Sequence, residues 1–179
     1  MEALECLKGR RSIRSYEDRP VDRAVIEQIV ETASYAPSWK HTQIARYIVI
    51  DDKELKAKIA KECTHTYPGN GTIIDQAAAL VIVSYVKNRS GFERDGSYST
   101  SKEDRWEMFD AGVASQTFCL AAYEAGLGTV IMGLYDDTIK EAINLPETQD
   151  ISCIIALGYP AANPEAPKRK AVSDLLTFI

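Results

Sequence analysis

Long apolar runs are missing from this chain: none of its 179 residues falls in a segment of the roughly 18 consecutive apolar residues that a membrane span requires. The opening stretch MEALECLKGRR also lacks the apolar middle of a secretory leader. Histidine is scarce. His41 and His65 stand alone, neither beside a serine or cysteine in an elbow motif, which argues against a hydrolase triad. The cysteines, Cys6, Cys63, Cys119 and Cys153, form no CxxC pair and have no histidine at ligand spacing, so neither a metal centre nor a disulfide framework is expected. Each lies in a helix- or strand-like stretch, where cysteine serves as a small core residue. A cytoplasmic protein with reduced thiols follows. Positive charge is not in excess: 21 Lys and Arg face 26 Asp and Glu, a formal net charge of −5. That argues against broad nucleic-acid binding. No repeat or low-complexity tract is present.

What is there is ordinary globular composition, 45% hydrophobic and 26% charged, with length for a single domain over residues 1–179. MEALECLKG reads as a short helix ended by Gly9. In VDRAVIEQIVETAS, Val25, Ile26, Ile29, Val30 and Ala33 share a helical face, with Asp22 as the cap. ARYIVID reads as a strand, followed by a capping box of Asp51 and Glu54 that opens a helix. AAALVIVSYV is a strand buried on both faces. The polar stretch from Lys87 to Asp104 reads as a mobile loop or lid. RWEMFDAGVASQTFCLAAYEAG is a long helix, too apolar to turn any wide side to water, with Asp110 and Gln116 as buried or interface hydrogen-bonding residues. TVIMGLY and ISCIIALGY are further strands, with Asp136 or Asp137 capping a short helix between them. The Pro-rich tail carries apolar Leu175, Leu176, Phe178 and Ile179, which need a surface to pack on. Strands are not always separated by a helix, so the class is α+β, with sheet and helices layered.

Against the acidic background, GRRSIRSY concentrates Arg10, Arg11 and Arg14 around Ser12. The guanidinium fork suits phosphate, and the serine adds a hydroxyl donor. In an extended segment Arg10, Ser12 and Arg14 line one side and Arg11 the other. Lys168, Arg169 and Lys170 form a second basic group near the far end. If the two groups meet they make one phosphate pocket; if not, both are solvated surface charge.

APSWKHTQ offers a planar slot. Pro37 stops a helix, Ser38, Thr42 and Gln43 supply hydrogen-bonding groups, Trp39 an aromatic plane and His41 a donor; the same stretch also fits a helix-ending loop with Trp39 filling the core. GLGTVIMG does not read as a dinucleotide fingerprint, because its glycines end a helix and precede a strand. Gly126 is a helix C′ residue. Gly133 ends an apolar run, where a flat ring can approach the backbone.

In their order along the chain, RRSIRSY, APSWKHTQIARYIVI, DAGVASQTFCLAAYEAGLGT, VIMG and GYPAANPEAPKRKAV resemble the nitroreductase superfamily of FMN-dependent oxidoreductases. The resemblance implies an α+β fold with a central, mostly antiparallel sheet flanked by helices, in an intertwined homodimer with FMN at the interface. Arg10, Arg11, Ser12 and Arg14 match the segment that holds the FMN phosphate and ribityl chain. Lys168 and Arg169 match a C-terminal phosphate contact. Pro37, Ser38, Trp39 and His41 match a segment supplied by the other subunit. Met132 and Gly133 match the strip beside the flavin ring, the Gly133 N–H donating toward N5, and Asn70 lies near the ring edge.

The implied activity is hydride transfer from NADH or NADPH to flavin N5, then to a nitroaromatic, quinone or similar conjugated acceptor by a ping-pong mechanism. No side chain is named as acid or base, because the flavin does the chemistry. No membrane, nucleic acid or metal is implied. The alternatives are a flavin-binding sensor or carrier without turnover, and a specialised flavin enzyme of the same fold, such as a dehalogenase or enone reductase. This chain departs from the family pattern at His41 and at Ile44-Ala45, where many members carry Asn and Pro-Trp.

Overall fold

The computed structural model describes residues 2–179. Its elements are α1 (Ala3–Gly9), α2 (Arg23–Ala33), β1 (Ala45–Ile50), α3 (Lys53–Glu62), α4 (Pro68–Gln76), β2 (Ala79–Val86), α5 (Arg105–Glu124), β3 (Gly128–Met132), α6 (Thr138–Ala142) and β4 (Gln149–Gly158). The strands form one antiparallel sheet in the order β1-β2-β4-β3. β1 and β3 are therefore its edges. Sequence neighbours β3 and β4 pair directly, while β4 inserts between β2 and β3.

Both faces of the sheet are covered, as the nearly continuous apolar run of β2 requires. Leu80 and Ile82 point to one face, where Ile59 of α3, Ile74 of α4 and Ile139 of α6 pack. Val81 and Val83 point to the other, against Ile26 and Ile29 of α2 and Phe118 and Ala122 of α5. All four β2 residues are fully buried. Each apolar side chain buried this way contributes about 1.5–3 kcal/mol. Cys63, Cys119 and Cys153 are buried core residues, as expected of small apolar side chains.

The expected helix starts and stops hold in part. The Asp22 side chain accepts from the Ala24 N–H at 2.9 Å and caps α2. α5 ends in a Schellman turn: Gly126 takes φ +78, its N–H donates to Tyr123, and the Leu127 N–H donates to Ala122. The cap of α3 lies one residue later than expected. Asp52 accepts from the Leu55 N–H at 2.8 Å, and Asp51 instead pairs with Arg23 at 2.6 Å. Neither Asp136 nor Asp137 caps α6 through its side chain; the Asp136 carboxylate accepts from the His65 N–H at 2.8 Å and from the Thr66 hydroxyl.

Other expectations are revised. α4 is a helix where none is legible, built on PGNGTIIDQ. The 87–104 stretch is irregular but anchored: Ser90 and Gly91 are buried, Phe92 bridges Tyr98, and Trp106 Nε1 donates to the Thr100 hydroxyl at 3.0 Å. α5 buries one face on the sheet but leaves Met108 and Phe109 49% and 60% exposed, and Gln116 is exposed. A helix this apolar with an open face is what an interface helix looks like in an isolated chain.

Candidate functional site

The segment after α1 is extended and runs beside edge strand β3. Ser12 makes a parallel bridge to Thr129, and the Ile13 N–H donates to the Thr129 carbonyl at 2.9 Å. Ile13 and Tyr16 are buried and fix the segment, the Tyr16 hydroxyl donating to the Ile13 carbonyl at 2.7 Å. With Ile13 pointing inward, Ser12 and Arg14 turn outward. Arg14 is exposed and Ser12 half-buried.

The paired arginines part company. Arg11 folds back on the end of α1, its Nη1 donating to the carbonyls of Lys8, Gly9 and Arg10 at 2.6, 3.1 and 2.9 Å. It serves there as a cation on a helix C-terminus. Arg10 is half-buried, and its buried Nε has no hydrogen-bond partner among the described residues. A buried N–H left this way is costly, which marks Arg10 as a donor waiting for an acceptor.

At the far end of β3, Met132 is buried and Gly133 exposed. A Cβ built on Gly133 would meet nothing within 4 Å, so the backbone there is open to a flat ligand. Asn70, buried in α4, donates to the Leu134 carbonyl at 2.7 Å. Arg10, Ser12, Arg14, Asn70, Met132 and Gly133 thus gather along one edge of the sheet.

Pro37, Ser38, Trp39 and His41 lie elsewhere. They precede β1, the opposite edge, three strand spacings or roughly 14 Å across the sheet. A short 3₁₀ turn at Trp39–His41 carries Lys40 and His41 at φ +43 and +59, and Gln43 follows at φ +49. Trp39 packs on Trp106 with ring centroids 4.5 Å apart. Its Nε1 is the other buried nitrogen without a partner among the described residues. Pro37 and Ser38 help line a cavity of about 300 Å³ between α2, α5 and β1, with Asp110 in its wall. His41 is exposed beside the Gln43 amide.

Lys168 and Arg169 are exposed on a tail in which residues 161–179 all face solvent. Val172, Leu175, Leu176 and Phe178 lie open at 48–89% exposure. Among the described residues the two basic groups share no ion-pair or hydrogen-bond partner, and the residues around Gly133 and the Trp39 turn occupy opposite edges of the sheet. The candidate residues therefore fall into two groups, one at each edge of the sheet.

One residue missed as a site organiser is Asp110. It is 3% exposed and accepts from the Trp39 backbone N–H at 2.9 Å and the Ser90 hydroxyl at 2.5 Å. A lone aspartate inside an apolar helix pattern was the available signal. Nearby Glu107 is also buried, and burial pushes its carboxyl above the ordinary range despite donation from the Arg89 N–H.

The Nitroreductase family profile matches residues 7–71 and 64–159 of this chain. A protein of Methanothermobacter thermautotrophicus, provisionally described as an NADH dehydrogenase/NAD(P)H nitroreductase, is 33% identical over 172 residues, spanning 92% of this chain and 80% of its own. The FMN reductase (NAD(P)H) of Bacillus subtilis is 33% identical over 193 residues, spanning 99% of this chain and 75% of its own. A Desulfovibrio desulfuricans structure solved in complex with FMN is 29% identical, with a TM-score of 0.78 over 98% of this chain and 95% of that one. With the profile matching residues 7–159, the whole sheet included, the chain belongs to the nitroreductase family.

Proposed function

We propose that this chain binds FMN at a site completed by a second copy, and passes electrons from NADH or NADPH to a small conjugated acceptor such as a nitroaromatic or quinone. The chain is an oxidoreductase. The observation that carries the cofactor assignment is the buried, unpartnered Nε of Arg10 beside Ser12 on the β3 edge. A guanidinium held in this way fits a phosphate. The open backbone at Gly133 fits a flat ring further along the same edge.

FMN held here would supply hydride-transfer chemistry between a nicotinamide donor and the acceptor. The chain's residues position and charge that chemistry. Arg10 and Arg14, with Ser12, hold the phosphate end, joined by Lys168 and Arg169 once the tail is docked. Asn70 fixes the strip that carries Met132 and Gly133 by holding the Leu134 carbonyl. Pro37, Ser38, Trp39 and His41 reach the site from the partner, since in their own chain they stand at the far edge of the sheet. The same partner covers the open face of α5 and the apolar tail, surfaces too large to leave wet. Donor and acceptor use one slot in turn, which gives ping-pong kinetics.

The test is an anaerobic visible spectrum of the purified protein before and after NADH or NADPH. Flavin bands that bleach support the reading. Bands that persist overturn the nicotinamide step and leave a flavin-binding protein of other chemistry. A protein that stays colourless after incubation with FMN overturns the assignment altogether.

A further inference from the structure

Asp110 sits where two irregular segments meet. Its carboxylate takes the Trp39 backbone N–H on both oxygens, at 2.9 and 3.1 Å. It takes the Ser90 hydroxyl at 2.5 Å, and Ser90 in turn lies 2.7 Å from the Thr42 hydroxyl. Since the Ser90 proton is given to Asp110, Thr42 is the donor in that pair. One buried carboxylate therefore binds the 38–43 turn and the 88–100 loop to α5 and, through Ser90 and Thr42, to each other.

The turn needs holding. Lys40, His41 and Gln43 all take positive φ without being glycine, a conformation that costs of order 1–3 kcal/mol per residue and persists only when its surroundings impose it. Other contacts surround the same junction: Lys40 pairs with Glu93 at 2.7 Å, Glu93 accepts from Ser99, and Trp39 packs at a tilt on Trp106, whose Nε1 donates to Thr100. The Lys40–Glu93 pair is exposed and weak on its own. The buried charge-assisted bonds at Asp110 are the strong ones.

We infer that Asp110 is a positioning residue that locks the strained Trp39 turn to the 88–100 loop, so that the cofactor-facing half-site and the loop order and loosen as one unit. The consequence for the site rests on the FMN reading above; the lock itself does not. Ligand contact with the loop is then felt at Trp39, and cofactor contact at Trp39 is felt in the loop. This links the state of the loop to cofactor seating without a shared contact.

The two tryptophans of the chain, Trp39 and Trp106, both lie in this junction, so tryptophan optical signals report on it alone. The experiment compares wild type, Asp110→Asn and Ser90→Ala by near-ultraviolet circular dichroism, by hydrogen exchange of the 88–100 peptide, and by FMN titration. Asp110→Asn is expected to lose the tryptophan dichroism, to exchange the 88–100 amides faster, and to bind FMN about tenfold more weakly, the worth of one such bond. Ser90→Ala, which removes the loop's bond to Asp110 and its link to Thr42 but leaves the Trp39 N–H on the carboxylate, is expected to speed 88–100 exchange and to weaken the dichroism in part. Wild-type dichroism and exchange in Asp110→Asn overturn the lock. So does a change confined to one of the two segments. If Asp110→Asn does not fold, Ser90→Ala decides by the same two readouts. Absence of FMN binding by wild type overturns the functional reading and leaves the dichroism and exchange to decide the lock.

Discussion

The side-chain amide of Asn70 donates to the carbonyl of Leu134 at 2.7 Å, tying the most glycine-rich helix of the chain to the strip that follows β3. Asn70 is buried and its neighbour Gly71 packs hard on α3, where a Cβ would stand 2.5 Å from the Ala60 carbonyl. Asn70→Ala leaves the Leu134 carbonyl without its donor. The expected loss is about 1–3 kcal/mol of unfolding free energy, together with weaker FMN binding as the Gly133 strip loosens. Urea unfolding and an FMN fluorescence titration measure the two. A variant of wild-type stability and affinity would show that the strip is held by β3 alone.

Arg10 and Arg11 are adjacent but do different work. Arg10→Ala is expected to weaken FMN binding by about 2–3 kcal/mol, the range for a hydrogen bond to a charged group, with the fold retained. Arg11→Ala removes donors from three carbonyls at the end of α1 and should cost about 0.5–1 kcal/mol of stability while leaving FMN affinity within a few-fold. Equal losses of affinity in both variants would mean that Arg11 turns toward the cofactor when FMN is bound.

This division was half legible in the sequence. Alternation in an extended segment separates Arg11 from Arg10, Ser12 and Arg14, and the bridge of Ser12 to Thr129 with Ile13 buried bears that out. The strands were legible because their apolar runs are nearly continuous, α2 because its apolar residues recur at helical spacing, and α5 because it is long and mostly apolar. α4 was not, since Gly69, Asn70 and Gly71 sit in its first turns and helix propensity there is poor; tertiary packing on α3 overrides it. The α3 cap was misplaced by one residue because Asp51 and Asp52 are equally good caps, and only the position of Arg23 decides between them. The 87–104 stretch read as mobile because its anchors, Asp110 and Glu107, belong to a helix further along the chain. No local pattern reveals that the Trp39 turn and the Arg10 segment lie on opposite edges of the sheet, because strand order is a property of the whole chain.

Glu107 supplies a pH prediction. Burial raises its carboxyl above the ordinary value of 4.5, against backbone N–H groups that pull it down. The folded chain then holds this proton more tightly than the unfolded one. The contribution of Glu107 to stability is fully present below pH 4.5 and is lost as pH rises through the raised folded value. Glu107→Gln keeps an oxygen for the Arg89 N–H but cannot ionise. Its stability relative to wild type should therefore increase from about pH 4 to 7, as read by urea unfolding across that range. A difference that is flat with pH would show that Glu107 titrates as it does in the unfolded chain.

The proposed sharing of the site between two chains yields the sharpest prediction. If each FMN site takes Arg10 from one chain and Trp39 from another, then Arg10→Ala and Trp39→Ala damage both sites of their own homodimers. A mixed dimer is different: one site carries both substitutions and the other carries neither. Mixing the two variants, at an FMN concentration that fills wild-type sites but not theirs and under conditions of subunit exchange, should restore about a quarter of wild-type sites, since random pairing makes half the dimers mixed and half their sites intact. Bound flavin per chain and NAD(P)H-driven bleaching should recover together. If both half-sites instead served a ligand within one chain, every site in every dimer would carry one lesion, and mixing would restore nothing. Recovery with mixing therefore distinguishes a shared site from a self-contained one even where both variants fold, dimerise and differ from wild type only at the cofactor.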